Sequence, residues 1–389
     1  MMKYRTNKQK SITIGLVLPH LKSRGTEKQA LRLAKGFAEK GLRVVLFVVQ
    51  GWGMEFMYQA FRDAGVEVVN VGRPVRVGQK AINLSRVFSL AWLARKYSCD
   101  ILISRAFRSN QISGWAGLIA FIPTILVLSS PVVLQRRSIE KLFKIVSVIR
   151  FVKNFGLPRN IVSITRESAQ NFSLMFPFYS NLVKTIYNGV DVSAEGYDDK
   201  SSLHLDRNHF NICFSGSLEI DRKGVDLLIE ALKQLVFSSR IKRACLILIG
   251  TGQDEFKIKD LVRINGLDKY VMFAGEQKNP FPIIKECDVF VFPSRREGFG
   301  NSLLEAMALG VCCISADCNY GPREIIKDGH NGILVPPENS RAIAEAIVRI
   351  KEDSDLRKML ASNVYRTIAE KFSCQQMIDH YYELVMRLM

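Results

Sequence analysis

Glu297 and Glu305 stand eight residues apart in EGFGNSLLEAMALG (297–310), with Gly298 and Gly300 between them. A carboxylate can accept hydrogen bonds from two neighbouring hydroxyls, and a hexose and a ribose each present such a pair. Glycines leave backbone N–H groups open. The apolar pattern from Asn301 onward starts a helix, and a helix N-terminus favours an anion. One loop and one helical turn could thus hold a sugar, a diphosphate and a ribose in a row. Asn301 and Ser302 are the expected caps of that helix. Two surface glutamates at a helix start is the plainer reading, but it explains Glu305 poorly. That residue falls in the second turn among Leu303, Leu304, Ala306 and Met307.

Two further turns carry chemistry. GSLEIDRKGVDLL (216–228) ends a strand at Gly216 and brings Arg222 and Lys223 to a helix start, where side-chain charge and backbone N–H groups can meet a phosphate. A solvated loop would read the same way. In GTGQDEF (250–256), Gly250 and Gly252 allow close approach of a nucleotide, although glycine turns between strand and helix are common.

These turns need elements to position them. In the first half, apolar runs predict strands at 12–18, 43–49, 66–71, 101–104, 124–128, 161–165 and 183–187. Helical periodicity fits 26–40, 54–64, 81–97, 109–120, 138–153 and 166–175. The polar stretch 188–209 breaks the pattern and reads as a linker. The second half predicts strands at 210–216, 244–250, 270–275, 288–293, 311–316 and 332–336, and helices at 223–236, 252–265, 280–286, 300–309 and 338–351. Three more helical stretches close the chain, the last near 374–388. This is an α/β protein with two doubly wound, Rossmann-like domains, expected over 1–189 and 190–373 and facing across a cleft. Ligands in such sheets bind outside the carboxyl ends of the strands.

Bulk properties agree. A chain of 389 residues, 48% hydrophobic and 24% charged, suits two globular domains. The opening run Ile12–Leu18 is too short for a signal peptide and reads as a buried first strand. The eight cysteines show no CxxC spacing and behave as small core residues of an intracellular protein. The five histidines show no metal-ligand spacing, so no metal site is expected. Charge is uneven: residues 1–190 hold 29 Lys and Arg against 8 Asp and Glu, a net +21, whereas residues 191–389 are at −3. An anionic partner for the first half follows. Residues 111–135 hold no charge and are long enough to span a bilayer, but their prolines and glycines favour a buried helix and strand. Residues 136–156 carry Arg136, Arg137, Lys141, Lys144, Arg150 and Lys153 against Glu140. That composition suits a helix on an anionic membrane surface, and equally an outer helix with a solvated basic edge.

The second half resembles the donor domain of the retaining glycosyltransferases of family 4, which have the GT-B fold. It carries YNGVD (187–191), RKG (222–224), EGFGNSLLEA (297–306) and DCNYGPREIIKDGHNGILVP (317–336) in the family's order and spacing. The first half matches more loosely through residues 15–41, where RGTEKQ replaces the usual glycine pair. The final helix, 374–389, resembles the segment that returns to the first domain as a crossover. The resemblance implies that Lys223, with Arg222, neutralises the donor diphosphate. It places Glu297 at the donor sugar and Glu305 at the ribose. Gly298, Phe299, Gly300 and Asn301 supply main-chain and shaping contacts, with Gly216, Ser217, Gly250 and Gly252 in the neighbouring turns. Ser217 stands where many members have an arginine. Many members also place a histidine after the fourth strand, where this chain has Arg105. His20, Arg105 and Arg108 are the first-domain candidates for acceptor or phosphate contacts, and each has a structural alternative.

The expected activity is metal-independent transfer of a hexosyl or N-acetylhexosaminyl unit, with retention. The donor would be a nucleotide-diphosphate sugar, UDP by resemblance, and no cofactor is needed. The acceptor would be a glycan or a lipid-linked molecule of bacterial surface polysaccharide or lipopolysaccharide. A cytoplasmic protein, peripheral at the inner face of the membrane, is expected. The one DxD, Asp353-Ser354-Asp355, reads as a helix start. Two alternatives stand: a nucleotide-sugar 2-epimerase on the same architecture, and a non-enzymatic basic module for membrane or nucleic acid. The second lacks any nucleic-acid motif and leaves Glu297 and Glu305 unexplained.

Overall fold

The computed structural model describes residues 11–22, 25–50, 53–72, 84–129, 151–152, 156–191, 203 and 205–389. Internal contacts divide the chain into two units. The first comprises 1–164, 168–186 and 375–389; the second comprises 165–167 and 187–374.

The first unit holds a seven-stranded parallel sheet in the order β3-β2-β1-β4-β5-β6-β7. Its strands are β1 (Thr13–Leu18), β2 (Arg43–Val48), β3 (Glu67–Asn70), β4 (Ile101–Arg105), β5 (Thr124–Leu128), β6 (Asn160–Ser163) and β7 (Val183–Thr185). All seven expected strands form. TIGLVL of β1 is buried at every position, because a parallel strand with helices on both faces has no wet side. The helices are α1 (Gly25–Glu39), α2 (Glu55–Asp63), α3 (Leu84–Lys96), α4 (Phe107–Ala120) and α5 (Arg166–Met175). The expected helix over 138–153, and with it the basic segment 136–156, lies outside the described residues except at a few positions. A 3-10 turn at Pro177–Leu182, which periodicity did not reveal, follows α5.

The second unit holds a six-stranded parallel sheet in the order β10-β9-β8-β11-β12-β13. Its strands are β8 (Phe210–Ser215), β9 (Ala244–Ile249), β10 (Val271–Gly275), β11 (Val289–Phe292), β12 (Cys312–Ala316) and β13 (Ile333–Val335). Helices α6 (Ile220–Lys223), α7 (Val225–Phe237), α8 (Glu255–Ile264), α9 (Phe281–Lys285), α10 (Asn301–Ala308), α11 (Pro322–Ile325), α12 (Ser340–Glu352) and α13 (Ser354–Thr367) surround it. One core joins the sheet to its helices through Phe214, Leu228, Leu232, Leu248, Val291 and Ile347. Each such side chain contributes roughly 1.5–3 kcal/mol through burial. Asp353 caps α13 by accepting from Leu356 N at 2.8 Å, so the DxD is a helix start. The beginning of the expected linker is tied down: Val190 N donates to Phe372 O at 2.8 Å, and Cys374 N donates to Val190 O at 3.0 Å. Residues 192–202 and 204 of that segment lie outside the described residues.

The last helix, α14 (Cys374–Met386), belongs with the first unit from Gln375 onward. A Cβ on Gly36 of α1 would lie 2.2 Å from the Ile378 side chain, so only glycine admits this helix so closely. Among the described residues, no helix is long and apolar enough to cross a membrane.

Candidate functional site

Each sheet reverses its strand order once, between β1 and β4 and between β8 and β11. Loops leaving the carboxyl ends of the strands diverge there and open a crevice. In the second unit that crevice collects the residues singled out by chemistry.

Lys223 leaves the end of α6, and Glu297 lies in the loop after β11. The ammonium Nζ contacts Glu297 Oε1, with side-chain exposures of 10% and 8%. The same ammonium sits 5.1 Å from the centre of the Phe292 ring, which adds a cation–π contact. The loop from β8 does not lead directly into a long helix as expected. It forms the short α6, stops at Gly224 with φ 64°, and restarts as α7. Backbone stitching fixes the two loops together: Arg295 N and Arg296 N donate to Arg222 O at 2.9 and 3.3 Å. The Arg295 guanidinium reaches both Asp226 oxygens at 2.7 and 2.8 Å, Glu338 Oε1 at 2.7 Å and the Ile220 carbonyl at 2.7 Å. The Asp226 pairing raises its pKa. No motif flagged Arg295, and its partners span more than 100 residues of chain, from Ile220 to Glu338.

Arg222 is engaged by Glu219, with Nε at 2.9 Å and Nη2 at 3.1 Å from the two carboxylate oxygens. That hydrogen-bonded pair raises the Arg222 pKa. Ser217 Oγ donates to the same carboxylate at 2.6 Å. Glu219 thus ties Ser217, at the position where many family members have an arginine, to the arginine nearby.

Glu305 is 8% exposed on α10. Gly300 occupies the N-cap position, and no side chain caps the helix. The expected Asn301 cap is not made, because Asn301 is already the first helical residue. Its Oδ1 accepts from Asn188 Nδ2 at 2.9 Å instead. Phe299 is buried, with ring centres 6.0 Å from both Tyr187 and Phe372, and shapes the loop from below. Gly298 follows Glu297 and is half-buried. The close approach permitted by Gly250 and Gly252 is between loops: added Cβ atoms would lie 2.1 Å from Gly216 O and 2.3 Å from Leu218 O.

Glu324 in GPREII was not singled out by sequence. Its carboxylate accepts from Arg166 N at 2.8 Å, Glu167 N at 2.9 Å and the Tyr187 hydroxyl at 2.9 Å. Glu167 in turn accepts from Tyr320 N at 2.9 Å. Burial, reinforced by Glu324, pushes the Tyr187 hydroxyl well above its ordinary pKa.

At the first unit's switch point, His20 follows β1 and Arg105 ends β4. His20 Nδ1 lies 3.0 Å from Glu27 Oε1, and Glu27 in the first turn of α1 is buried. Arg105 is 1% exposed. Burial pulls its pKa down, opposed by Tyr381 and Glu27. Arg108 is half-buried and close enough to Arg86 to help lower that residue's pKa, for which burial is the larger cause. Glu27 was missed because an acid in a first helical turn ordinarily faces water. Among the described residues, no group of three or more His, Cys, Asp or Glu is placed to hold a metal ion.

Comparison with known proteins agrees with this architecture. Residues 23–194 match the model of Glycosyltransferase Family 4, and residues 198–367 match that of Glycosyl transferases group 1. The N,N'-diacetylbacillosaminyl-diphospho-undecaprenol alpha-1,3-N-acetylgalactosaminyltransferase of Campylobacter jejuni is 25% identical over 336 residues, 78% of this chain and 82% of the relative. The lipopolysaccharide core biosynthesis glycosyltransferase LpsE of Rhizobium meliloti is 33% identical over 166 residues, 43% of this chain and about half (47%) of that enzyme. HepE of Anabaena, solved in complex with UDP and glucose, superposes with a TM-score of 0.78 over 96% of this chain and 99% of that one, at 20% identity. With two family models meeting end to end along two parallel-sheet domains, the chain belongs to the GT-B glycosyltransferases of the group 1 and family 4 type.

Proposed function

We propose that the chain transfers a hexosyl or N-acetylhexosaminyl unit from a UDP-sugar to a glycan or lipid-linked acceptor of a bacterial surface polysaccharide or lipopolysaccharide, with retention of configuration. The observation that carries this reading is the Lys223–Glu297 contact at the β8/β11 crevice, beside an α10 that has no side-chain cap and holds Glu305 half-way along it. Lys223 and Arg222 neutralise the departing diphosphate, supplying charge where it develops. Glu297 contacts the sugar hydroxyls, and Glu305 binds the ribose. The anomeric carbon–oxygen bond to the diphosphate breaks, the acceptor oxygen bonds to that carbon on the same face, and the acceptor proton leaves with the diphosphate. The two cations meet the electrostatic demand of this step, so neither a metal nor a cofactor is needed.

HepE was solved with UDP and glucose, and the Campylobacter relative is named for an undecaprenol-diphosphate acceptor. The first supports a UDP donor, and the second supports a lipid-linked acceptor.

The test is a thermal-shift screen of UDP-, GDP- and ADP-sugars, since a ligand bound to the folded state raises its stability. A shift specific to UDP-sugars is expected, lost in Glu305→Ala. A GDP or ADP preference would overturn the donor assignment, and an unchanged shift in Glu305→Ala would overturn the ribose role. Retention is read from the anomeric signal of the product by NMR.

A further inference from the structure

Helix α3 buries Val87, Leu90, Ala91 and Ala94 against the sheet. Its opposite face should then be polar. Instead Leu84, Phe88 and Trp92, spaced four residues apart, point outward, with Phe88 59% and Trp92 61% exposed. Helix α4 runs alongside, and the two C-terminal ends are joined by Arg95 Nε donating to Ala120 O at 3.2 Å. Leu118 and Phe121, the latter 88% exposed, close α4 at that end. The outer surface of this helix pair is thus an apolar and aromatic strip along its length. Monomer surfaces seldom present such a continuous apolar patch without a partner.

Its charges identify the partner. Arg95 lies 5.9 Å from the Phe121 ring, and Lys96 Nζ lies 5.1 Å from the Trp92 ring. Both cations are exposed, and neither α3 nor α4 carries an acidic residue. Large apolar side chains with an indole and flanking cations are what a helix lying in the headgroup region of an anionic bilayer presents. A protein partner of acidic character would meet the cations but leave Phe88 and Trp92 wet.

We infer that the outer face of α3 and α4 is a membrane-docking surface that inserts Leu84, Phe88, Trp92, Leu118 and Phe121 into the interface of an anionic bilayer, with Arg95 and Lys96 at the phosphates. It draws on none of the residues of the basic segment 136–156 and stands independently of the donor assignment.

The test is flotation of the full chain with vesicles of phosphatidylcholine alone or with phosphatidylglycerol added, with no sugar present. The chain floats with the anionic vesicles. Trp92→Ser/Phe121→Ser lowers the bound fraction by at least about tenfold, because apolar insertion supplies much of interfacial binding, and Arg95→Gln/Lys96→Gln lowers it in a salt-dependent way. Because these side chains are exposed, circular dichroism and thermal melting stay as in the parent. Phe88→Lys adds a cation but removes an inserted ring, and it too binds less. Unchanged flotation of the Trp92→Ser/Phe121→Ser variant would overturn the inference. So would stronger binding by Phe88→Lys, or a solution dimer of the parent that the double variant dissolves.

Discussion

Lys223 and Glu297, 74 residues apart in sequence, form a charge pair with both side chains about nine-tenths buried. Neither charge has much water to fall back on, so removing one leaves the other uncompensated. Lys223→Met and Glu297→Gln should each lower stability by about 3 kcal/mol, while the double variant loses clearly less than the sum. Urea denaturation of the four proteins measures the coupling. If the ammonium also meets the leaving diphosphate, Lys223→Met lowers kcat by about a hundredfold. Additive stabilities would show that the pair carries no coupling energy.

Gly224 sets where that ammonium stands. It ends α6 with φ 64°, and a Cβ there would lie 2.2 Å from the Pro293 carbonyl. Gly266 has nearly the same dihedral, φ 65°, with nothing within 4 Å of a Cβ. Gly266→Ala therefore reports backbone strain alone, about 1 kcal/mol. Gly224→Ala adds a backbone collision and should cost at least about 2 kcal/mol more. It should also weaken donor binding, because the RKG loop must move away from β11. Equal melting temperatures for the two variants would remove the collision from the account.

The sheets were readable because parallel strands covered on both faces are unbroken apolar runs, as in β1 and β9. RKG and the Glu297–Glu305 pair were readable because their spacing is local. What stayed hidden depends on pairs distant in sequence. Arg295 gathers Asp226, Ile220 and Glu338, and Glu324 gathers Arg166, Glu167 and Tyr187. No periodicity records such partners. The Asn301 cap failed for a local reason: the helix starts one residue earlier than a capping Asn requires, with Gly300 in the cap position. The α3 strip escaped notice because both faces of that helix are apolar, so its sequence looks like that of a buried helix.

The sequence makes Arg105 a candidate for acceptor or phosphate contacts, with a structural role as the alternative. Its side chain is wholly buried, with Glu27 and Tyr381 supplying the compensating electrostatics. Arg105→Met removes a cation that offsets the buried Glu27 carboxylate, which keeps His20 Nδ1 at 3.0 Å, and should cost up to about 3 kcal/mol, with part of that recovered in Arg105→Met/Glu27→Gln. A direct acceptor contact predicts the opposite pattern: a raised acceptor KM with the melting temperature unmoved. Running both assays on the same two variants separates the roles.

The cysteines give the folded state a dependence on alkaline pH. Seven of the eight are buried, and all eight are free. Burial pushes the Cys318 thiol up to about 12, with Glu297 adding to the effect, and the Cys99 thiol also to about 12. Cys312 is pushed up to about 11, again by burial. In the unfolded chain these thiols ionise near their ordinary value of 9.0. Above that pH the unfolded state binds fewer protons than the folded one, so stability falls as pH rises. Their contribution is complete below about pH 8 and is progressively lost toward pH 11–12 as the folded thiols approach their own pKa values. Thiolate is also the reactive form, so at pH 8 the native protein should react slowly with iodoacetamide at these three positions. The urea-unfolded chain should take up eight equivalents. Rapid labelling of Cys318 in the native protein would show that the loop between β12 and α11 opens, and would remove that residue from the pH argument.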